Sequence, residues 1–338
     1  MTRIVYLSEF KEAQSDAALA HFLSYACQHA PFDRLAWWEG LAEHCAMTPL
    51  LAFASNEGGM AVLPLASGSG RLTALANWYT FRFRPLVSGP RPPLDGLARA
   101  LRKRAHRITL TNVPDEDGSA TATQKAFRQA GWLVRREMCG INHILPVNGR
   151  SYEDYLSSRP GKVRTTLKRK SGRVRAEILT HFDEMAWAEY EAVYAQSWKP
   201  HEGSPEFLRT FAKAEGAAGR LRLGIARDAL DPHGPAIAAQ MWTVEGGTAF
   251  IHKLAHREAA RVLSPGSVLS AAMIAHALDR DRVSLVDFGT GDDPYKRDWM
   301  EQQRPRYSLD MLKPLSPRNW PVLAKWALRS LAAGTNRG

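Results

Sequence analysis

Cysteine is scarce in this chain: Cys27, Cys45 and Cys139 are the only three in 338 residues, and no two form a C-x-x-C pair. An odd, scattered set argues against a disulfide framework or a cysteine zinc site and fits a reducing compartment. Long apolar runs are missing too. No stretch of about 18 apolar residues exists, so no segment is expected to span a bilayer. The opening MTRIVYLSEFKEAQSD carries acids where the apolar core of a signal peptide would stand, and a cytoplasmic location is expected. The chain also lacks a P-loop, a dinucleotide-binding glycine fingerprint and a G-x-S-x-G setting for Ser197. Those absences set aside nucleotide hydrolysis, nicotinamide chemistry and serine hydrolysis. His252 and His256 share a strand with no third ligand in view, so no metal is expected.

The rest of the composition is that of an ordinary globular protein, with 45% apolar, 23% charged and 9% aromatic residues. Its length suggests two domains. The formal charge is +11, from 45 basic and 34 acidic residues, and it is unevenly placed. Between Lys162 and Arg175 stand seven basic residues and no acid: Lys162, Arg164, Lys168, Arg169, Lys170, Arg173 and Arg175. Such a cluster is a solvated helix end, a grip on an anionic substrate, or an electrostatic contact for RNA. Within it, Arg164 and Lys168 are candidates for substrate binding.

Hydropathy periodicity divides the chain near residue 148. The first half predicts helices at Ala17–His29, Arg34–Cys45, Leu94–His106 and Ala120–Ala130. It predicts strands at Pro49–Ala54, Met60–Leu65, Arg107–Val113 and Trp132–Leu145. The second half predicts a helix over Ser151–Lys170, a strand at Ala176–Phe182, an Asp183-capped helix and a helix at Pro205–Glu215. Strands follow at Leu221–Arg227, Ala236–Val244 and Thr248–His256, then a helix at Ser267–Arg280 and strands at Val283–Phe288 and Tyr307–Leu312. Both halves are mixed α/β with a similar order of elements, which suggests a duplicated fold. The tail NWPVLAKWALRSLAAG alternates Trp320, Leu323, Trp326 and Leu331 with Lys325 and Arg329. It reads as a docked terminal helix or, over 319–333, as a peripheral membrane contact.

Two segments concentrate chemistry. Ser264-Pro265-Gly266-Ser267 opens a helix, no acid stands between Ala259 and Ile274, and such a start offers amides to a phosphate or serves as an ordinary cap. Asp287-Phe288-Gly289-Thr290-Gly291-Asp292-Asp293-Pro294-Tyr295-Lys296 ends a strand in a glycine-bearing turn dense in polar groups. Trp37, Trp38, Trp78 and Tyr79 are aromatic enough to stack a ligand, but core packing is the commoner use.

Taken together, PAIAAQMW (235–242), AFIHKLAH (249–256), SPGSVL (264–269) and VDFGTGDDPYKRDW (286–299) resemble the GNAT (N-acetyltransferase) superfamily. Within it the chain is similar to the CelD-like branch, which is related to the Fem aminoacyl transferases. Tyr155, KVRTTLKRK (162–170) and Ser197-Trp198-Lys199 fit the same branch. The resemblance implies an α/β fold of two tandem acyl-CoA N-acyltransferase (GNAT-like) domains, with mixed central sheets flanked by helices. A degenerate first domain would cover 1–148, a catalytic one 149–315, and an amphipathic tail 316–338.

It implies an acyltransferase that moves an acyl group from acyl-CoA to an amine of an anionic acceptor, such as an envelope or exopolysaccharide precursor. Asp287, Tyr295 and Lys296 would be catalytic, with Asp292 and Asp293 as the alternative bases to Asp287. His252, Leu254, His256, Ser264, Gly266 and Ser267 would hold the donor, and Arg164, Lys168, Trp198, Lys199 and Asp292 the acceptor. Where the superfamily carries a glycine-rich pyrophosphate loop, this sequence has Arg257–Ser264. The alternatives are a Fem-type transferase that uses aminoacyl-tRNA, and a non-catalytic scaffold with the same fold.

Overall fold

The computed structural model describes residues 2–335, with side chains described through Leu328; the expectations for Arg329 and Leu331 lie outside the described side chains. The elements run β1 (Arg3–Leu7), α1 (Phe10–Ser15), α2 (Ala17–Phe22), α3 (Leu35–His44), β2 (Pro49–Asn56), β3 (Gly59–Gly68), β4 (Arg71–Ala74), β5 (Leu86–Ser88), α4 (Leu94–Leu101), β6 (Arg107–Val113), α5 (Ser119–Gln129) and β7 (Leu133–Pro146). They continue with α6 (Tyr152–Ser157), α7 (Gly161–Lys170), β8 (Val174–Leu179), α8 (Glu184–Ala195), α9 (Pro205–Ala217), β9 (Leu221–Asp228), β10 (Ala238–Glu245) and β11 (Thr248–His256). Last come α10 (Pro265–Ala275), β12 (Leu285–Thr290), α11 (Pro294–Trp299), β13 (Gln302–Leu312) and α12 (Trp320–Thr335).

The chain forms two compact units, Met1–Gly140 with Pro305–Gly338, and Ile141–Arg304. The sequence-based boundaries at 148/149 and 315/316 are therefore displaced. The reason is strand exchange along the chain. β7 begins in the first unit, but its end pairs antiparallel with β12 of the second, Leu285 opposite Pro146. β13 leaves the second unit, and its later residues pair antiparallel with β6 of the first, Leu312 opposite Arg107. Hydropathy periodicity marks both strands but carries no information about which sheet receives them.

Within each unit the strand pattern is the same. In the first, β1, β2, β3 and β4 are successively antiparallel, β4 is parallel to β6, and β13 completes the order. In the second, β8, β9, β10 and β11 are antiparallel, β11 is parallel to β12, and β7 completes it. This repetition is the structural form of the duplication that the order of elements suggested.

Local chemistry explains most element ends. The predicted helix over Ser151–Lys170 is two helices, because Pro160 interrupts the run. Ser151 and Asp154 form a reciprocal capping box at the first of them. Asp183 caps α8 by accepting from the Ala186 amide at 2.8 Å. α2 stops at Phe22, six residues before the Gln28 side chain returns to its carbonyl, so the predicted helix to His29 is shortened. α4 ends at Leu101 rather than His106, as the chain turns to bring the His106 amide onto the Gly70 carbonyl.

Each unit buries its own apolar core. In the second, α10 lies against the sheet over Gly224, where an added Cβ would stand 2.6 Å from the Met273 sulfur. Glycine there is a packing requirement. In the first, Trp37 and Trp38 are core residues, as is Tyr79, while Trp78 is exposed. Among the described residues no helix is long and apolar enough to cross a membrane.

Candidate active site

The second unit opens where the parallel pairing of β11 with β12 ends. β11 and β12 are in register at three positions only, Thr248 with Leu285, Ala249 with Val286 and Phe250 with Asp287. β11 then continues to His256 and β12 to Thr290 without further pairing between them. Two irregularities accompany the separation. The β10–β11 register steps from Met241 opposite Lys253 to Trp242 opposite Ile251, so His252 is an extra residue in β11, a bulge that bends the strand. On the other side, Gly289 takes φ +69°, and the β12–β7 register shifts between Asp287 and Thr290.

A cavity of about 480 Å³ occupies this opening. Its strand walls are Leu254, His256 and Phe288; the start of α10 contributes Ser264, Pro265, Gly266 and Ser267; and Tyr295, Lys296 and Asp293 come from the start of α11. Ser264 stands in the left-handed region at φ +53°, with Pro265 as the first helical residue. Its carbonyl takes up the amides of Ser267 and Val268, at 3.1 and 3.2 Å. The Gly266 amide is thereby the first of the helix left for a ligand. An added Cβ at Gly266 would stand 3.3 Å from the His256 ring, so the strand and the helix start meet closely here.

Tyr295 sits at the end of a polar chain running through the core. Trp242 Nε1 donates to the Gln240 side-chain oxygen Oε1 at 2.9 Å, Gln240 Nε2 donates to Ser270 Oγ at 2.7 Å, and Ser270 Oγ lies 2.9 Å from the Tyr295 hydroxyl. Gln240 and Ser270 are buried, so their mutual satisfaction is what makes the arrangement stable. Burial pushes the Tyr295 hydroxyl up to about 12, and the phenol is therefore a neutral donor throughout the physiological range.

Three lysines bear on the same region. Burial brings Lys296 down to about 8, against the opposing attraction of Asp287 and Asp293; its ammonium donates to the Thr290 carbonyl at 2.5 Å. Burial likewise lowers Lys199, which lines the cavity beside the exposed Trp198. Lys253, on β11, is buried, is brought down to about 8 by that burial, and pairs with Glu202 at 2.9 Å. Lys199 also lines an adjoining cavity of about 640 Å³ with Tyr194, Ser197, His201, Glu202 and Arg209. Lys199 therefore lines both cavities.

Not every residue expected at the site is in it. Asp287 is buried off the cavity wall, where it accepts from Asn142 at 2.9 Å and from the Gly289 amide at 2.8 Å. Asp292 is an exposed turn residue paired with Arg297 and with His143, and the Arg297 bond leads in holding it below the usual carboxylate range. Asp293 is the carboxylate that does line the cavity, while also capping Tyr295 N at 2.8 Å. His252 turns to Thr243, 2.8 Å away, and packs edge-on against Phe211. Arg164 and Lys168 line a different, shallow pocket with Tyr152 and Leu167. The basic cluster is thus not part of this cavity.

Sequence reading passed over Arg261, Phe288, Lys253, Gln240 and Ser270. Arg261 had a signal, since it is a cation in the segment that replaces the glycine-rich loop. That segment coils into a 3-10 helix, Glu258–Leu263, and directs Arg261 to the cavity. Gln240 had one too, as a lone amide within the apolar run from Ala236 to Trp242.

Residues 161–297 match the family model described as an acetyltransferase (GNAT) domain. No curated protein matches the sequence. Among solved structures, a C-terminal domain (DUF2156) of a putative lysylphosphatidylglycerol synthetase from Agrobacterium fabrum is similar at TM-score 0.57 and 11% identity, covering 94% of this chain and 97% of that one. FemX is similar at 0.55 and 11%, covering 80% and 90%. A tandem GNAT protein from the clavulanic acid biosynthesis pathway is similar at 0.52 and 12%, covering 94% and 100%. At these identities the likeness is one of fold.

Proposed function

We propose that this chain, whose residues 161–297 match the acetyltransferase (GNAT) domain model and whose fold is similar to that of FemX and of a tandem GNAT protein, transfers an acyl group from acyl-CoA to an amine of an anionic acceptor. The observation that carries this reading is the opened strand pair: β11 loses its partner after Phe250 just where a helix start, a neutral phenol and three cations meet one cavity. Unpaired β11 amides would polarise the thioester carbonyl as an oxyanion-type donor set. The Gly266 amide, Arg261 and the α10 start would take the pyrophosphate. The acceptor would enter from the Tyr194–Glu202 side, with its negative charge toward Lys199 and Lys253.

In the transfer, the free amine attacks the carbonyl carbon, the C–N bond forms and the C–S bond breaks. The sulfur leaves as a thiolate toward the Tyr295 hydroxyl, which donates a hydrogen bond to it. The proton lost by the attacking nitrogen passes through water to Asp293, and the released thiolate takes its proton from solvent. Lys296, drawn toward Asp287 and the Thr290 carbonyl, holds the turn that presents Tyr295.

A second reading, aminoacyl transfer from tRNA of the Fem kind, is favoured by one feature. The Glu258–Leu263 turn coils its amides into a 3-10 helix, offering fewer free donors to a pyrophosphate than an open loop does. Calorimetric titration with acetyl-CoA and longer acyl-CoAs at two salt concentrations separates the two. Saturable binding that Gly266→Asp abolishes supports the CoA donor. Absence of binding to every acyl-CoA rejects it, and aminoacyl-tRNA becomes the titrant.

A further inference from the structure

The first unit holds a pocket that neither the transfer chemistry nor the second unit explains. It measures about 430 Å³, and its charged lining is entirely cationic or imidazole: Arg102, Lys103, Arg104, His106, Lys313 and Arg318. Among the described residues none of the six forms an ion pair with a carboxylate. Arg102 and Lys313 donate only to backbone carbonyls, and Arg104 lies over the Tyr6 ring. The imidazole of His106 is held below its ordinary value by burial and then by Arg318, Arg71 and Arg107, which reports how much positive potential converges there. The pocket is rigidly built. Buried Asn319 donates to the His106 carbonyl at 2.7 Å and to the Lys313 carbonyl at 2.9 Å, pinning the turn that carries Arg318.

That turn leads directly into α12, and here the surface changes character. Leu315 is 85% exposed, Trp320 61% and Leu328 68%. Trp320, Ala324 and Leu328 recur at four-residue steps, so they form one apolar stripe on the solvent side of the helix. The half-buried Leu323 and Trp326 lie off this stripe, and the Trp326 ring is met by Arg135 at 5.6 Å. A cation-lined pocket beside protruding aliphatic and tryptophan side chains matches the layering of an anionic bilayer surface, phosphate above and acyl chain below. RNA would meet the same charge and one ring, Trp320, but the exposed Leu315 and Leu328 beside it have no ring face on which further bases could stack.

We infer that this pocket and the outer stripe of α12 are a peripheral docking surface for anionic phospholipid. The headgroup phosphate sits among Lys103, His106 and Arg318, and Leu315, Trp320 and Leu328 enter the acyl-chain boundary. This inference is independent of the reaction proposed for the second unit.

The test is co-sedimentation of the full-length protein with vesicles of phosphatidylcholine alone and of equimolar phosphatidylcholine and phosphatidylglycerol. Partition onto the anionic vesicles only, weakened by salt, is expected. Lys103→Gln with Arg318→Gln should lower it roughly 25-fold, about fivefold per charge. Leu315→Ser with Trp320→Ser should lower it separately, while leaving the salt dependence in place. All four side chains are exposed, so unchanged melting temperatures are expected and checked first. No partition onto anionic vesicles overturns the inference. So does partition indifferent to Leu315→Ser and Trp320→Ser, which is charge attraction alone. Saturable binding of inorganic phosphate, or of an RNA oligonucleotide, without vesicle binding also overturns it.

Discussion

Replacing Tyr295 with phenylalanine removes a single oxygen and leaves the ring packed near Phe288 and Trp299. The oxygen lies 2.9 Å from Ser270 Oγ, which keeps the Gln240 amide as a partner when the phenol is gone. One hydrogen bond of ordinary net worth, about 1 kcal/mol, and a long one to the Gly266 carbonyl at 3.5 Å are therefore lost from the fold, and the melting temperature should fall by only a few degrees. Activity should fall much further. A positioned proton donor contributes about 10²–10⁴-fold, and the leaving group decides where in that range the loss lies. The phenol is pushed up to about 12 by burial, whereas an ordinary thiol titrates near ~8.5. Proton transfer to a departing thiolate is uphill, so the hydroxyl helps mainly as a hydrogen-bond donor. A loss near 10²-fold in kcat, with KM little changed, is expected with an acyl-CoA. A ribose hydroxyl is a far more basic leaving group, so with an ester donor the loss should approach the upper end, about 10⁴-fold. Steady-state kinetics with thioester and ester donors measures both. Retention of more than half the wild-type kcat with every active donor would refute the assignment of Tyr295 to the leaving group, as would a loss confined to KM.

Gly266→Asp places a side chain against His256 and a carboxylate at the start of α10; donor affinity should drop at least tenfold with the fold intact, as calorimetry and a thermal melt will report. Lys296→Met addresses pH. Because burial lowers the Lys296 ammonium from 10.5 to about 8, protonation favours the unfolded chain, and stability from this group rises as pH climbs from about 8 toward 10.5. The stability of wild type relative to Lys296→Met should therefore rise between pH 7 and 10, and a flat difference contradicts the burial argument. Gly224→Val forces branched carbons against Met273 and Leu269, an overpacking cost of about 1–3 kcal/mol read as a lower denaturation midpoint; an unchanged midpoint would mean that α10 is not seated on this glycine.

What the sequence determined by itself was local. The strands Arg107–Val113 and Thr248–His256 and the Asp183 cap depend on neighbours within a few residues, and all are where the periodicity and capping residues put them. The helix opening at Ser264-Pro265-Gly266 and the Tyr295-Lys296 pair were legible for the same reason, and they line one cavity. Tertiary structure decided everything that depends on partners far along the chain. The exchange of β7 and β13 between units places the division at 140 and 304, because strand pairing is settled by which sheet edge is open and not by hydropathy. The bulge at His252 exists only against β10, and it turns a candidate donor-binding residue toward Thr243. The separation of β11 from β12 decided that Arg261 and Asp293 reach the cavity, whereas Asp287, Arg164 and Lys168 do not line it. Charge and polarity are written into a sequence, but the side of a wall on which a charge ends up is fixed only when the wall is built.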